Sequence, residues 1–243
     1  MNSTKDKYNR GFVAAGDETG FLMRSNDELF DLLKSQIAVE RTVGARVLGH
    51  RGHEFVELLL TAFESEQKLY PKIEIANSLI SFGCYSVNGL VKRLGKIGKN
   101  QHQIPAIEPF KKKSYPLPRD IAARTLIRIG TIALPALFEV LKADDPAKIS
   151  EAVDAIGFIC YSGGQEEYLK PLLDCYNTFK NNDLLRWKII RAMSAFPASQ
   201  TFLEIQLSIE SNLAIKQEIE RSIRLIGKSL EYKKFGVPRV WST

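Results

Sequence analysis

The chain has 243 residues, of which 44% are hydrophobic and 26% are charged. This balance is typical of a globular protein of one or two domains and excludes a disordered, collagen-like or disulfide-stapled chain. The opening MNSTKDKYNR lacks the apolar core of a signal sequence, and no uninterrupted run of about 18 apolar residues occurs. We therefore expect a cytoplasmic protein with no membrane association.

The net charge of +6 is concentrated in residues 92–119. That segment carries eight basic side chains against Glu108 alone, a local charge of +7, whereas the rest of the chain has a charge of −1. Such a cluster attracts a polyanion or an acidic protein surface. The basic residues are Lys92, Arg93, Lys96, Lys99, Lys111, Lys112, Lys113 and Arg119.

The N-terminal residues 1–25 contain several glycines among polar residues and are either loose or folded back as a cap. Ser25 and Glu28 then stand at the spacing of a capping box, directly before the apolar sequence LFDLL. This pattern predicts a helix that begins near Asn26.

A repeat of about 30 residues, with two insertions, occupies most of the remaining chain. Its best copy lies at 119–145, where Ala122 and Leu126 share one helix face and Gly130 is placed to close the helix. Leu137 belongs to the apolar stripe of a second helix, so each repeat predicts a helical hairpin. The nine-residue segments that align without gaps are 44–52, 75–83, 122–130, 152–160, 189–197 and 219–227.

No segment alternates apolar and polar residues as a half-buried strand does, so we predict an all-α fold. The predicted architecture is an α-solenoid of about five to six stacked helical hairpins over residues 26–230. Prolines within 96–118 predict an exposed insertion loop there. Residues 231–243 are expected to form a C-terminal tail or cap.

The first helix of each hairpin ends in a pattern such as Leu-x-x-Ile-Gly and is followed by a helix of the type LPALFEVLK. This pattern resembles the HEAT-like repeats, in particular the short bacterial type named after phycobilisome lyases. The resemblance implies a solenoid with first helices on a convex face and second helices on a concave face that binds a partner.

Residues with catalytic or metal-binding potential are few, and we expect no cofactor, no metal site and no catalytic residue. Three histidines are too few for the di-iron site of the HEAT-like hydroxylases, and three separated cysteines are expected to be small buried residues. Trp187 lies near Asp183 and Arg186, a combination that HEAT-like DNA glycosylases use, but its position at the start of a helix favours a packing role.

We therefore expect a non-catalytic scaffold or adaptor that recognises a partner protein. The candidate contact residues on the second helices are Glu57, Glu139, Lys142 and Glu204, in addition to the basic residues of 92–119. One alternative is nucleic-acid binding or processing through 92–119, where Phe110 and Tyr115 flank three lysines and offer rings for base stacking. A less favoured alternative is a role like that of the chromophore lyases, and the sequence leaves the oligomeric state open.

Overall fold

The computed structural model describes residues 4–107, 115–163 and 166–234, and over these ranges it is helical with no strand. The predicted all-α fold of packed helical hairpins is confirmed. The chain divides into two compact units, Met1–Arg93 and Leu94–Thr243.

In the first unit, a short N-terminal helix is followed by a capped helix and two hairpins. The capping box predicted at Ser25 is present, because the Glu28 amide donates to Ser25 Oγ and the Ser25 amide donates to the Glu28 carboxylate. The helices are α1 (Thr4–Asn9), α2 (Asn26–Lys34), α3 (Ala38–Arg51), α4 (Val56–Ser65), α5 (Leu69–Ser81) and α6 (Cys84–Val91).

The segment between α1 and α2 is attached to α3 by side chains of that helix. Thr42 Oγ1 donates to the Gly11 carbonyl at 2.7 Å, and the Arg46 guanidinium donates to the carbonyls of Val13 and Ala14. Val13 is buried as a result. The N-terminal residues 6–25 therefore cover one side of α3.

In the second unit, a long irregular segment precedes three hairpins and a final helix. The first helices of these hairpins, α7, α9 and α11, pack side by side, and α13 packs against α11. The helices are α7 (Ile121–Ile129), α8 (Leu134–Val140), α9 (Pro146–Gly163), α10 (Leu169–Thr178), α11 (Asp183–Met193), α12 (Gln200–Ile209) and α13 (Leu213–Lys234).

The turn position of the repeat has a glycine with positive φ in three cases, Gly52, Gly83 and Gly130. Gly130, with φ +83°, ends α7 as the sequence predicted, because an L side chain is strained in that conformation. Gly227, at the same position of the last segment, does not end its helix. α13 continues to Lys234 through residues that favour a helix, past the predicted start of the tail at 231, and residues 235–243 lie outside the described residues.

One apolar stretch, Ile121–Val140, has a mean hydropathy of 1.5 and the length needed to cross a membrane. It is two helices, α7 and α8, rather than one, because Gly130 and a short 3-10 turn separate them. Leu126 and Leu137 within it are fully buried against the rest of the unit.

Candidate functional site

The basic residues predicted to bind a partner do not share one environment. Lys92 is exposed in the first unit, and Arg93 is half-buried there with its Nε 2.5 Å from the Glu64 carboxylate. Lys96, Lys99 and Arg119 are exposed in the second unit, and Lys111, Lys112 and Lys113 lie outside the described residues. Arg93 is therefore already neutralised by an acidic neighbour, which weakens its predicted role.

Residues 95–107 and 115–118, which we call the cover segment, lie against α9 and α11. The described part of the predicted loop forms no helix and has exposed residues such as Ile104, but Ile97, His102 and Tyr115 are buried, so the expected exposure is wrong for these three. The Tyr115 ring packs against Phe158 and Tyr161 of α9, with centroids 6.0 Å and 5.5 Å apart. Tyr115 is 3% exposed and offers no ring for base stacking, and Phe110, the other predicted ring, lies outside the described residues.

The N-terminal part of the cover segment is held by a buried carboxylate and an aromatic contact. Asp120, which caps α7, accepts hydrogen bonds from the Gly95 amide and from Gln101 Nε2. The His102 ring meets Trp187 of α11 edge to face, with centroids 5.0 Å apart. Trp187 is 1% exposed, so the packing role predicted for it is confirmed.

The candidate residues on the second helices are exposed. Glu57 lies on α4, Glu139 and Lys142 form an exposed ion pair of 2.7 Å at the end of α8, and Glu204 lies on α12. The sequence did not single out the apolar neighbours of Glu204. Ile205 and Ile209, one turn apart on α12, are 56% and 70% exposed.

A buried charge network, which the sequence interpretation missed, joins α9, α11 and α13. Lys188 Nζ lies 2.7 Å from Glu151 Oε1 and 2.9 Å from Asp154 Oδ2. The Arg191 guanidinium stacks on Trp187, with 3.8 Å to the ring centroid. Charged groups removed from water need such partners, because an unpaired buried charge is strongly unfavourable. The members are Glu151, Asp154, Lys188, Arg191, Glu218 and Arg221.

The network follows the register of the repeat. The third residue of one nine-residue segment pairs with the residue that precedes the next segment. Asp154 pairs in this way with Lys188, and Arg191 lies 3.5 Å from Glu218. The third position of all six aligned segments is polar, and this regularity is the sequence signal that could have indicated the network. The residues at that position are Arg46, Asn77, Arg124, Asp154, Arg191 and Arg221.

A cavity of about 200 Å³ lies beside this network in the second unit. Gln101 and His102 of the cover segment line it together with Ser150 and Glu151 of α9. Burial and the carboxylates of Asp154 and Asp120 raise the pKa of Glu151 to about 7, although Lys188 opposes the shift. Burial and nearby cations, first among them Arg119, lower the pKa of His102 to about 4.

The first unit has a more open groove of about 450 Å³ between the C-terminal ends of α3 and α5. The His53 ring stacks on Tyr85 there, with centroids 3.7 Å apart, and Arg46 is bound to Glu18 and Glu74 at 2.8 Å and 3.0 Å. The polar groups of Arg46 are thus satisfied by the protein itself.

Among the described residues, no group of three or more His, Cys, Asp or Glu side chains has the arrangement of a metal site. Cys160 and Cys175 are buried, and burial raises their pKa values to about 12 and about 11, which disfavours the reactive thiolate. Cys84 is exposed at the start of α6, so the expected burial is wrong for that residue.

The comparisons with known proteins provide no family. No family model matches the chain. No curated protein is similar to it. Two solved structures from the Northeast Structural Genomics Consortium, both described as engineered proteins, are similar at 18% and 16% identity with TM-scores of 0.36 and 0.37. They cover 83% and 85% of this chain, which spans 58% of the first structure and all of the second.

Proposed function

We propose that this chain is a HEAT-like repeat protein with a non-catalytic role, which binds a partner protein through the α12 side of its second unit. The observation that carries the proposal is the exposure of Ile205 and Ile209, at 56% and 70%, on consecutive turns of one helix. Exposed apolar residues that adjoin one another on a folded surface are typical of interaction sites.

The charges around this surface favour a protein over a nucleic acid as the partner. Glu204 is exposed next to Ile205, and Glu210 is bound to Arg186 immediately after α12. Nucleic-acid binding uses accessible basic residues and rings, and two of the predicted ones are not accessible, since Arg93 is paired with Glu64 and Tyr115 is buried. We expect a folded partner with an apolar patch bordered by charges of both signs.

The test is affinity capture from the source cell with the full chain and two variants, with and without nuclease treatment. The first variant is Ile205→Ser with Ile209→Ser, and the second replaces Lys111, Lys112 and Lys113 by Ser. We expect the wild-type chain to capture one stoichiometric protein both with and without nuclease treatment. The isoleucine variant should fail to capture this protein, and the lysine variant should still capture it. Circular dichroism verifies that each variant is folded.

The captured protein is then purified and titrated against the wild-type chain and the isoleucine variant. A reduction in affinity of tenfold or more in the variant supports the proposal. Capture that disappears with nuclease and with the lysine substitutions would move the function to nucleic-acid binding. Equal binding by the wild type and the isoleucine variant would exclude the α12 surface.

A further inference from the structure

The cavity beside the buried charge network contains an unsatisfied acceptor. Glu151 is 1% exposed and lines this cavity, and its Oε1 accepts a hydrogen bond from Lys188. Its other oxygen, Oε2, is buried and accepts no hydrogen bond from any part of the chain that the structure describes. A buried carboxylate oxygen normally has a donor, so the missing partner makes the cavity-lining Glu151 a candidate binding group.

The charges buried in the second unit do not balance. Among the described residues of this unit, four carboxylates are buried, those of Asp120, Glu151, Asp154 and Glu218, against the three cations of Lys188, Arg191 and Arg221. His102, which also lines the cavity, does not supply the missing positive charge at neutral pH because its pKa is about 4. When Glu151 is ionised, this excess of one negative charge beside the cavity favours a cation there.

We infer that this cavity binds a small organic cation with N–H donors, an ammonium or a guanidinium group, through Glu151. The cavity is smaller than the roughly 300–1,000 Å³ pockets that hold drug-sized ligands, and it suits one small polar group. Gln101 and Ser150, which also line it, carry further hydrogen-bonding groups. The inference does not rest on the proposed function, because neither Ile205 nor Ile209 lines this cavity.

Cation binding at this position depends on pH. The described ionisable groups that act on the Glu151 carboxylate include Lys188 on α11, Asp154 on the same helix as Glu151 and Asp120 at the start of α7. His102 of the cover segment lines the same cavity. Because the pKa of Glu151 is about 7, the carboxyl group is largely protonated at pH 6 and largely ionised at pH 8. A cation therefore competes with a proton for this group, and binding is tighter at pH 8.

The experiment is a titration of the full chain, followed by NMR, with three probes: methylammonium, methylguanidinium and tetramethylammonium. Tetramethylammonium has the same charge but no N–H group, so it separates hydrogen bonding from charge alone. We expect saturable binding of methylammonium or methylguanidinium, at least tenfold weaker binding of tetramethylammonium, and several-fold tighter binding at pH 8 than at pH 6.

Two variants locate the binding site. Glu151→Gln removes the charge and should weaken binding at least tenfold, whereas the control Glu139→Gln changes an exposed glutamate on α8 and should leave binding intact. If Glu151→Gln does not fold, Ala147→Phe decides, because Ala147 is exposed, lines the cavity and carries no charged or hydrogen-bonding side chain. The larger side chain narrows the cavity and retains the Glu151 carboxyl group.

The inference is overturned if the wild-type chain shows no saturable binding at pH 8, if tetramethylammonium binds as well as methylammonium, or if a folded Glu151→Gln or Ala147→Phe variant binds as the wild type does. A further probe, arginine blocked at both its termini, identifies the source of the cation. Affinity equal to that of methylguanidinium indicates a protein side chain, and much weaker binding indicates a free small molecule.

Discussion

Asp154 Oδ2 lies 2.9 Å from Lys188 Nζ and joins α9 to α11. The equivalent residues of the first unit, Arg46 and Glu74, join α3 to α5 at 3.0 Å with the charges reversed. The same two positions of the repeat are therefore bridged in both units, while the sign at each position is exchanged. Complementary charge between neighbouring first helices is the property that these positions share.

Lys188→Met should lower the free energy of unfolding by roughly 3–5 kcal/mol, because it leaves Glu151 and Asp154 buried without their common cation. Urea denaturation measures this effect. Lys142→Met is the matched control, since Lys142 forms an exposed pair with Glu139 that contributes about 1 kcal/mol or less. Equal effects at the two lysines would contradict the importance assigned to the buried network.

Tyr115 anchors the cover segment through its ring and not through its hydroxyl group. The hydroxyl is buried and has no hydrogen-bond partner among the described residues, so Tyr115→Phe should preserve or slightly raise the melting temperature. Tyr115→Ala removes the ring that contacts Phe158 and Tyr161 and should lower the free energy of unfolding by roughly 3–5 kcal/mol. A strongly destabilised phenylalanine variant would show that the hydroxyl has an essential partner.

Gly157 of α9 allows the close approach of the cover segment and of α11. A Cβ atom at this position would lie 2.8 Å from Ala192 Cα and would also collide with the Tyr115 hydroxyl. Gly157→Ala should therefore lower stability by about 1–3 kcal/mol. Gly227→Ala, where nothing lies within 4 Å of the new atom, should raise it by up to about 1 kcal/mol because alanine favours the helix. Thermal unfolding of both variants tests the contrast.

The pH dependence of stability should contain a contribution from His102. Its pKa of about 4 in the folded chain is below the ordinary value of 6.5, so the unfolded chain binds a proton first as the pH falls. Stability is therefore lost between pH 6.5 and pH 4, by at most about 3 kcal/mol. His102→Gln should lack this contribution in denaturation curves measured across that range.

Glu151 acts in the opposite direction. Its pKa of about 7 is above the ordinary value of 4.5, so the folded chain binds the proton more tightly and stability falls as the pH rises from 4.5 to 7. Comparison of His102→Gln with Glu151→Gln separates the two contributions. An identical pH profile for the wild type and both variants would show that neither group titrates as the structure indicates.

The hairpin order was predictable from the sequence because each first helix carries its own apolar stripe and most of them end in a small or turn-forming residue. The environment of the cover segment was not predictable in this way. Its prolines exclude a helix, but burial of His102 and Tyr115 depends on surfaces of α9 and α11 that are distant in the chain. The polar residues at the third position of the segments were visible in the alignment, yet their burial depends on which helices become neighbours.

The contact between His102 and Trp187 has a consequence for the way the second unit unfolds. In a simple helical repeat array, each hairpin contacts only its neighbours, so terminal hairpins can open independently. Here the cover segment links residues before α7 to α11, past the two intervening hairpins, α7 with α8 and α9 with α10. Amide hydrogen exchange should therefore find α9 and α11 opening together with this segment as one cooperative block.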